Sequence, residues 1–175
     1  MEEIITYGLE EAIEEIPKHE GRYGLVSILS PEDETPDFYD ERELGHVSLK
    51  FHDITWRKKM DMVPPHVSHI KKILANSGDI LSHDTIFCHC WAGISRSTAA
   101  AIILHYMDMG RDSLAVTKVL NLALEGRIVR PNRCMLHMAD LLLDTRLLHW
   151  AELGFNYTSE YTGEYTINHG MKEKV

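Results

Sequence analysis

The feature that most constrains this chain is a short apolar segment that runs through a small-residue loop into a helix. Thr85–His89 is short and apolar, which predicts a buried strand. Ser97–Met109 is rich in Ala, Ile and Leu and is followed by Gly110, which predicts a helix that ends at a glycine. A strand that feeds a helix through a loop is the repeating unit of α/β folds, and this class is therefore expected.

The other segments continue this alternation of strands and helices. Further predicted strands are Ile4–Tyr7, Gly24–Leu29 and His46–His52. Further predicted helices are Leu9–Ile16, a segment opened by Pro64-Pro65 that ends near Gly78, a segment capped by Asp112 or Ser113 that runs to Leu124, and a last long helix from Asn132 through Arg146. We expect a mostly parallel central sheet of four or five strands flanked by helices, with a C-terminal helical cluster.

Length, charge and cysteine usage limit the domain organisation and the partners. The 175 residues correspond to about one domain, so residues 1–150 are expected to form it and the polar residues 151–175 a C-terminal tail. A formal net charge of −9 argues against a nucleic-acid binder. No apolar run approaches the ~20 residues of a membrane helix, and the acidic N-terminus resembles neither a signal nor a transit peptide. Three cysteines do not describe a disulfide framework, and a reducing cytoplasm is expected. The sequence carries no signal for the oligomeric state.

The loop between the strand Thr85–His89 and its helix carries the chemistry. It reads His89-Cys90-Trp91-Ala92-Gly93-Ile94-Ser95-Arg96-Ser97. Ligand sites in open α/β sheets lie beyond the carboxyl ends of the strands, and the N–H groups of a tight loop that enters a helix form an anion nest. Gly93 permits a positive φ in such a turn. The spacing therefore predicts an anion site.

The side chains of Cys90 and Arg96 suit nucleophilic attack on phosphorus. N–H donors around a cysteine favour the thiolate over the thiol. The planar guanidinium of Arg96 can bind two phosphate oxygens. The N–H groups of the anion nest stabilise the charge in the transition state of phosphoryl transfer. Alone, Cys90 is better explained as a buried core thiol. Together with Arg96 and Gly93 it is better explained as a nucleophile.

His89-Cys90, five intervening residues and Arg96-Ser97 resemble the signature of the cysteine-dependent protein tyrosine phosphatase superfamily. Ala92-Gly93 and the small size are most similar to its dual-specificity branch in the bacterial-type single-domain form. The resemblance covers roughly Gly24 to Arg146. It implies hydrolysis of phosphate monoesters, above all protein phosphotyrosine and also phosphoserine or phosphothreonine, through a cysteinyl-phosphate. It implies no metal or other cofactor.

The resemblance also implies residue roles. Cys90 is the nucleophile, and Ser97 assists departure of the thiolate. Independently of the resemblance, His89 is expected to bond through its ring to the loop backbone and fix its shape. Asn132, in a stretch that resembles the family's segment before the last core helix, places the hydrolytic water or caps that helix. The residues expected to hold the phosphoryl oxygens are Trp91, Ala92, Gly93, Ile94, Ser95 and Arg96. The family's glutamine shortly after this stretch is absent, and Met138 stands near its place.

The leaving group needs a general acid, which in the family is an aspartate about 30 residues before the cysteine, just after a strand. Asp53 directly follows the predicted strand, whereas Asp61 agrees better with the count. We favour Asp53 because of its placement, and the loop Ile54–Val63 accounts for the extra residues.

Two features stay open. Arg57, Lys58 and Lys59 form either a solvated charge run or a basic flap beside the phosphate site. Strand alternation places Cys88 on the same side as Cys90, where it is a candidate redox partner, although an i, i+2 disulfide on a strand is geometrically poor. Zinc is not favoured, because Cys134 lies on a separate element without a paired ligand motif.

Other functions compete with a protein phosphatase. The segment Arg57–Lys59 favours a phosphatase of a small phosphorylated metabolite, an inositol phosphate or a phospholipid headgroup. A phosphate-binding module without catalysis is a further alternative, against which intact Cys90, Arg96 and Asp53 argue. Arsenate reductases share a Cys-x5-Arg loop but carry it near the N-terminus.

Overall fold

Four parallel strands form the centre of the described part of the protein. The computed structural model describes residues 3–54 and 61–155 of the 175-residue chain. The strands are β1 Glu3–Tyr7, β2 Gly24–Leu29, β3 His46–Lys50 and β4 Thr85–Cys90. They stand in the order β1-β4-β2-β3, and each neighbouring pair is parallel. The predicted parallel sheet is confirmed.

Helices cover both faces of this sheet. α1 (Leu9–Glu15) continues into a short 3-10 turn, Ile16–Lys18, and packs on one face. The larger core lies on the opposite face of the sheet and includes buried residues of five helices. These are α2 Val67–Ile80, α3 Arg96–Met109, α4 Asp112–Leu124, α5 Arg133–Leu143 and α6 Leu147–Gly154. α3 lies against β1, β2 and β4, and its fully buried alanines allow this close approach. No helix within residues 3–54 and 61–155 is long and apolar enough to cross a membrane.

Side-chain alternation along β4 divides its residues between the two cores. Cys88 and Cys90 belong to the larger core, whereas Phe87 belongs to the smaller core beside α1. The ring of His89 packs edge-on against Phe38, with centroids 5.4 Å apart. The predicted separation of His89 from the two thiols is confirmed.

Two helix starts differ from the sequence prediction because another residue occupies the cap. α2 begins at Val67, behind both prolines, since His66 is its N-cap and accepts a hydrogen bond from the backbone N–H of Ser68 at 3.2 Å. α2 also runs past Gly78 to Ile80. Arg111, not Asp112 or Ser113, is the N-cap of α4. The Asp112 carboxylate instead accepts from the backbone N–H of Arg146 at 2.7 Å.

The last predicted helix ends before Arg146, and a further helix, α6, which the sequence analysis did not predict, begins at Leu147. α5 ends at Leu143, and its C-cap Asp144 has a left-handed φ of 54°. The carboxylate of Asp140 then accepts from the backbone N–H groups of Leu147 at 2.7 Å and Leu148 at 3.1 Å, which satisfies the first turn of α6. An acid inside one helix that caps the next leaves no periodic signal in the sequence.

α6 crosses the predicted domain boundary at residue 150. Ala151 and Phe155 are both buried in the larger core. The rest of the predicted tail, residues 156–175, lies outside the described residues, as do residues 55–60 with the basic segment Arg57–Lys59.

Candidate active site

Cys90 stands at the carboxyl end of β4 and is almost fully enclosed. Its side chain is 2 % exposed, and its Sγ lies 3.3 Å from the hydroxyl of Ser97 in the first turn of α3. Ser97 is itself fully buried. A hydroxyl at this distance can donate to a thiolate, so the predicted partnership of Cys90 and Ser97 is present in the fold.

The N-terminus of α3 opens directly onto this thiol. Ser95 is the N-cap, yet its side chain makes no capping hydrogen bond. The first backbone N–H groups of a helix have no intrahelical acceptor, and with the positive end of the helix dipole they favour an anion. The loop from Cys90 to Ser95, where the sequence predicts an anion nest, leads into this helix N-terminus beside the enclosed thiol.

The loop is packed against the turn between β1 and α1. Gly93 has φ +72°, and a Cβ there would lie 2.5 Å from Gly8 N and 2.7 Å from Tyr7 C. Leu9 N donates to Trp91 O at 3.0 Å in the same contact. Gly93 is thus required both for its positive φ and for this close approach.

A second segment holds the other side of the loop. Arg130 N donates to Ile94 O at 2.9 Å, and Asn132 N donates to Ser95 O at 3.0 Å. The chain before α5 therefore runs along the loop. Together with the contact of Gly93 to the β1–α1 turn, these bonds fix the loop from two sides.

Arg96 is buried at the base of the loop. Its side chain is 4 % exposed, and Nη1 donates to Phe51 O at 2.7 Å, just beyond β3. Its Nε is enclosed and has no hydrogen-bond partner among the described residues. The Phe51 carbonyl orients the planar guanidinium, and the other N–H groups of Arg96 can donate to a bound oxyanion.

Asp53 contacts the loop directly. Its Oδ1 accepts from Ser95 Oγ and from Asn132 Nδ2, each at 2.7 Å. Asp61 is exposed, adopts a left-handed φ of 69°, and makes no hydrogen bond to the loop in the described part of the chain. Of the two candidate acids, Asp53 is therefore the one that the fold holds against the loop.

Asn132 joins the acid, the loop and α5. Its Oδ1 accepts from Met135 N at 3.0 Å, which makes it the N-cap of α5 as predicted. Its Nδ2 also donates to Ile54 O at 3.2 Å, and the side chain is fully buried. Sequence reasoning offered a water-placing role or a cap and missed the bond to Asp53. It also gave Ser95 only a backbone role.

The segment after Asp53 is pinned at its base by His52. His52 N donates to Val63 O, and Val63 N donates to His52 Nδ1, both at 2.8 Å. Since Nδ1 accepts, the neutral ring carries its proton on Nε2, which donates to Glu32 at 3.2 Å. The two ends of the segment that follows Asp53 are thus held together.

His89 does not make the hydrogen bond to the loop backbone that the sequence analysis predicts. Its side chain is 0 % exposed, and neither ring nitrogen has a hydrogen-bond partner among the described residues, so the predicted bond to the loop backbone is wrong. Burial, and secondarily the charge of Arg96, lowers the pKa of His89 to about 4. The neighbouring Ser27 in β2 is likewise buried with an unbonded hydroxyl. The ring packs against Phe38 and makes no hydrogen bond within the described residues.

Trp91 and Cys88 take opposite environments. Trp91 is 59 % exposed, so it does not pack under the loop and stands at the surface beside it. Cys88 is fully buried, and burial, followed by its neighbour Cys90, raises the pKa of its thiol. Cys88, Cys90 and Cys134 are all free thiols. Among the described residues, no three His, Cys, Asp or Glu side chains are grouped as metal ligands would be.

Comparisons with known proteins support the fold. No protein-family model matches the chain. No curated protein matches it either. Among solved structures, the Yvh1 phosphatase domain from Chaetomium thermophilum is similar at a TM-score of 0.54 and 21% identity, over 82% of this chain and 92% of that one. The structure of DUSP15 aligns at a TM-score of 0.49 and 16% identity, over 85% and 90% of the two chains. The likeness to the Yvh1 domain shows a shared fold, which is the dual-specificity phosphatase-like fold expected from the sequence.

Proposed function

We propose that this chain is a cysteine-dependent phosphatase that hydrolyses phosphate monoesters, with protein phosphotyrosine as its substrate. One observation carries the proposal: an enclosed thiol, a buried guanidinium and a helix N-terminus without a side-chain cap converge on one loop, and a carboxylate bonds to that loop. A metal ion is not needed for this chemistry, because the loop and Arg96 supply the positive field.

In the first step, the Cys90 thiolate attacks the phosphorus atom of the bound ester. The N–H groups of Trp91 to Arg96 and the Arg96 fork hold the equatorial oxygens, where charge is spread in the transition state. The bond from phosphorus to the leaving oxygen breaks, and Asp53 gives that oxygen its proton. Phosphate is then bound to Cys90 through sulfur, and the alcohol or phenol departs.

In the second step, water displaces the cysteine. Asp53, now a carboxylate, accepts a proton from the attacking water. Asn132 Nδ2 donates to Asp53 Oδ1 at 2.7 Å and keeps this carboxylate in place. The hydroxyl of Ser97, 3.3 Å from Sγ, donates to the sulfur as the thiolate leaves. Inorganic phosphate is released and Cys90 is regenerated.

The enclosure of the thiol favours phosphotyrosine over phosphoserine and phosphothreonine. Cys90 and Arg96 are 2 % and 4 % exposed, so the phosphate must be presented on a side chain long enough to enter the loop. A phenyl phosphate has that reach, and the exposed indole of Trp91 beside the loop offers an aromatic surface to it. The proposal includes a reducing, cytoplasmic compartment, because only reduced Cys90 is a nucleophile.

The test is a substrate panel with the full chain. Phosphotyrosine, phosphoserine and phosphothreonine peptides, p-nitrophenyl phosphate, inositol phosphates and phosphoinositide vesicles are assayed with and without vanadate. We expect vanadate-sensitive turnover, highest on phosphotyrosine peptides, and a loss of about 10³-fold or more in Cys90→Ser. Preferred turnover of inositol phosphates or phosphoinositides would assign the alternative substrate class.

A second cysteine variant gives the matched control. Cys134 lies half-buried on α5, outside the loop, so Cys134→Ser should retain full turnover. Phosphate binding without turnover in the wild-type chain would make it a binding module and overturn the proposed enzyme.

A further inference from the structure

A turn that follows the central strand β2 borders the candidate active site. β2 lies between β4 and β3, and its residue Ile28 stands beside Cys90 in the strand register. Because the strands are parallel, the turn Ser30–Asp33 emerges at the same edge of the sheet as the loop of Cys90 and the segment of Asp53. This turn, named the Glu32 turn below, is therefore part of the rim of the site.

Hydrogen bonds hold the Glu32 turn in one conformation. The backbone N–H of Ser30 donates to Asp33 Oδ2 at 2.8 Å, and the backbone N–H of Asp33 donates to Ser30 O at 3.1 Å. Lys50 Nζ, at the end of β3, donates to Asp33 O at 2.7 Å. Glu32 is thus presented at the rim by a turn that is fixed on both sides of it.

The carboxylate of Glu32 faces the segment that carries the candidate acid. His52 Nε2 donates to it at 3.2 Å, and His52 directly precedes Asp53, whose Oδ1 accepts from Ser95 Oγ at 2.7 Å. The side chain of Glu32 is nevertheless 66% exposed. An ionised carboxylate has room for several donors, so Glu32 can accept from His52 and from a second donor that arrives from solvent.

Glu32 is an anion at the edge of an anion site. A hydrogen bond from its own backbone N–H lowers the pKa of Glu32, and the nearby His52 and Arg96 lower it further. The influence of Arg96 places the carboxylate within electrostatic range of the phosphate loop. Arg96 Nε, enclosed and without a hydrogen-bond partner in the described part of the chain, marks that anion site independently of the rim.

This charge acts on the parts of a substrate that stay outside the loop. Cys90 is 2 % exposed, so only the phosphorylated side chain enters the loop, and the peptide residues on either side of it stay at the rim. A lysine or arginine there is attracted to Glu32, whereas an aspartate or glutamate is repelled. A polyphosphorylated ester brings further negative charge to the same rim and is disfavoured for the same reason.

On the basis of the proposed phosphatase function, we infer that Glu32 is a specificity-determining residue that selects phosphotyrosine segments with a lysine or arginine beside the phosphorylated residue. The partner is therefore a basic segment of a phosphoprotein. Its cation pairs with Glu32 while the reaction at Cys90 proceeds as proposed, so the pairing orients the segment and takes no part in the chemical steps.

The experiment uses the full chain and three phosphotyrosine peptides of equal length. They differ only in the residues on either side of the phosphotyrosine, which are arginine, alanine or glutamate. kcat/KM should fall in that order by about 2- to 5-fold at each step, the range of one exposed ion pair. The differences should shrink between about 0.1 M and about 1 M salt, because the Debye length falls from about 10 Å to about 3 Å.

Three variants test whether this preference belongs to Glu32. Glu32→Gln keeps an oxygen for His52 and removes the charge, so the ratio of kcat/KM between the arginine and glutamate peptides should lose most of its size. Glu32→Lys should invert the order of the peptides. Glu20→Gln is the matched control, because Glu20 is exposed and precedes the start of β2 at Gly24, at the opposite edge of the sheet. It should keep the ratio of the wild type.

Two results would overturn the inference. One is a wild-type preference for the glutamate peptide, which the basic segment Arg57–Lys59 would favour. The other is an equal loss on all three peptides in Glu32→Gln, since Glu32 would then act through His52 and not on the charge of the substrate. Turnover of p-nitrophenyl phosphate by the same preparation separates the two proposals. If that ester is hydrolysed and the peptides are not ranked by charge, only the role of Glu32 is wrong, whereas no turnover of any ester contradicts the phosphatase function itself.

Discussion

The side-chain amide of Asn132 donates to Asp53 Oδ1 at 2.7 Å, and the backbone N–H of Asn132 donates to Ser95 O at 3.0 Å. One buried residue thus ties the candidate acid to the candidate phosphate loop across a sequence separation of 79 residues. In the proposed mechanism Asn132 exchanges no proton with substrate or water and holds Asp53 in place, so it acts as a positioning residue.

Asn132→Ala should separate substrates by their leaving groups. With its carboxylate no longer held, Asp53 protonates the leaving oxygen less well, and kcat on a phosphotyrosine peptide should fall about 10-fold or more. An aryl phosphate with a strongly acidic phenol needs less protonation and should lose much less. The variant also lacks its N-cap and should lose about 1–2 kcal/mol in the free energy of unfolding. Asn121→Ala, on the exposed side of α4, is the control. Equal losses on both esters would mean that Asn132 serves only stability.

Asp53→Asn and Asp61→Asn form a matched pair that identifies the acid. A general acid contributes about 10²–10⁴-fold, so Asp53→Asn should lower kcat on phosphotyrosine peptides by that order and flatten the basic limb of the pH profile. Asp61 adopts a φ of 69°, which asparagine tolerates, so its variant should fold and keep its activity. The reverse pattern would assign the acid to Asp61.

The strand–loop–helix unit was predictable because its signals are local. Cys90, Gly93 and Arg96 are close in the chain, and β4 and α3 follow from apolar patterning and a terminal glycine. The contacts that hold these residues in place were not predictable. Phe51 O, which orients Arg96, lies 45 residues away, and Asp53 lies 42 residues from Ser95. Contacts between distant residues leave no periodic pattern in a single sequence.

The histidine preceding the nucleophile shows a different limit. Strand alternation predicted the face on which His89 lies, because that depends on its own strand alone. Whether its ring nitrogens meet a partner depends on the other elements that pack there, Phe38 and Ser27 among them. A bond from the ring to the loop backbone was expected, and the surrounding packing does not provide one.

Gly93→Ala should damage the loop more than an ordinary glycine substitution. A Cβ at Gly93 meets the backbone of Gly8 and Tyr7 at 2.5 and 2.7 Å, so the loop or the β1–α1 turn must shift. Gly110 has a similar φ of +64°, but nothing lies within 4 Å of its Cβ position. Both variants should lose about 1–2 kcal/mol from the left-handed conformation. Only Gly93→Ala should also weaken vanadate binding and kcat/KM. Equal kinetics for the two variants would contradict the tight contact.

The buried ring of His89 should make the fold sensitive to acid. Burial lowers the pKa of His89 to about 4 from its ordinary value of 6.5, so between these pH values the unfolded chain binds a proton that the folded chain does not. The free energy of unfolding should therefore rise from pH 4 to 6.5 and be lost as the pH falls, by about 3 kcal/mol from this residue. Carboxylates also titrate in this range, so the comparison is between wild type and His89→Asn, which keeps a polar side chain without the titration. Urea unfolding at pH 7.0, 5.5 and 4.5 should show a smaller loss in the variant. Parallel curves would show that the ring does not control this part of the pH dependence.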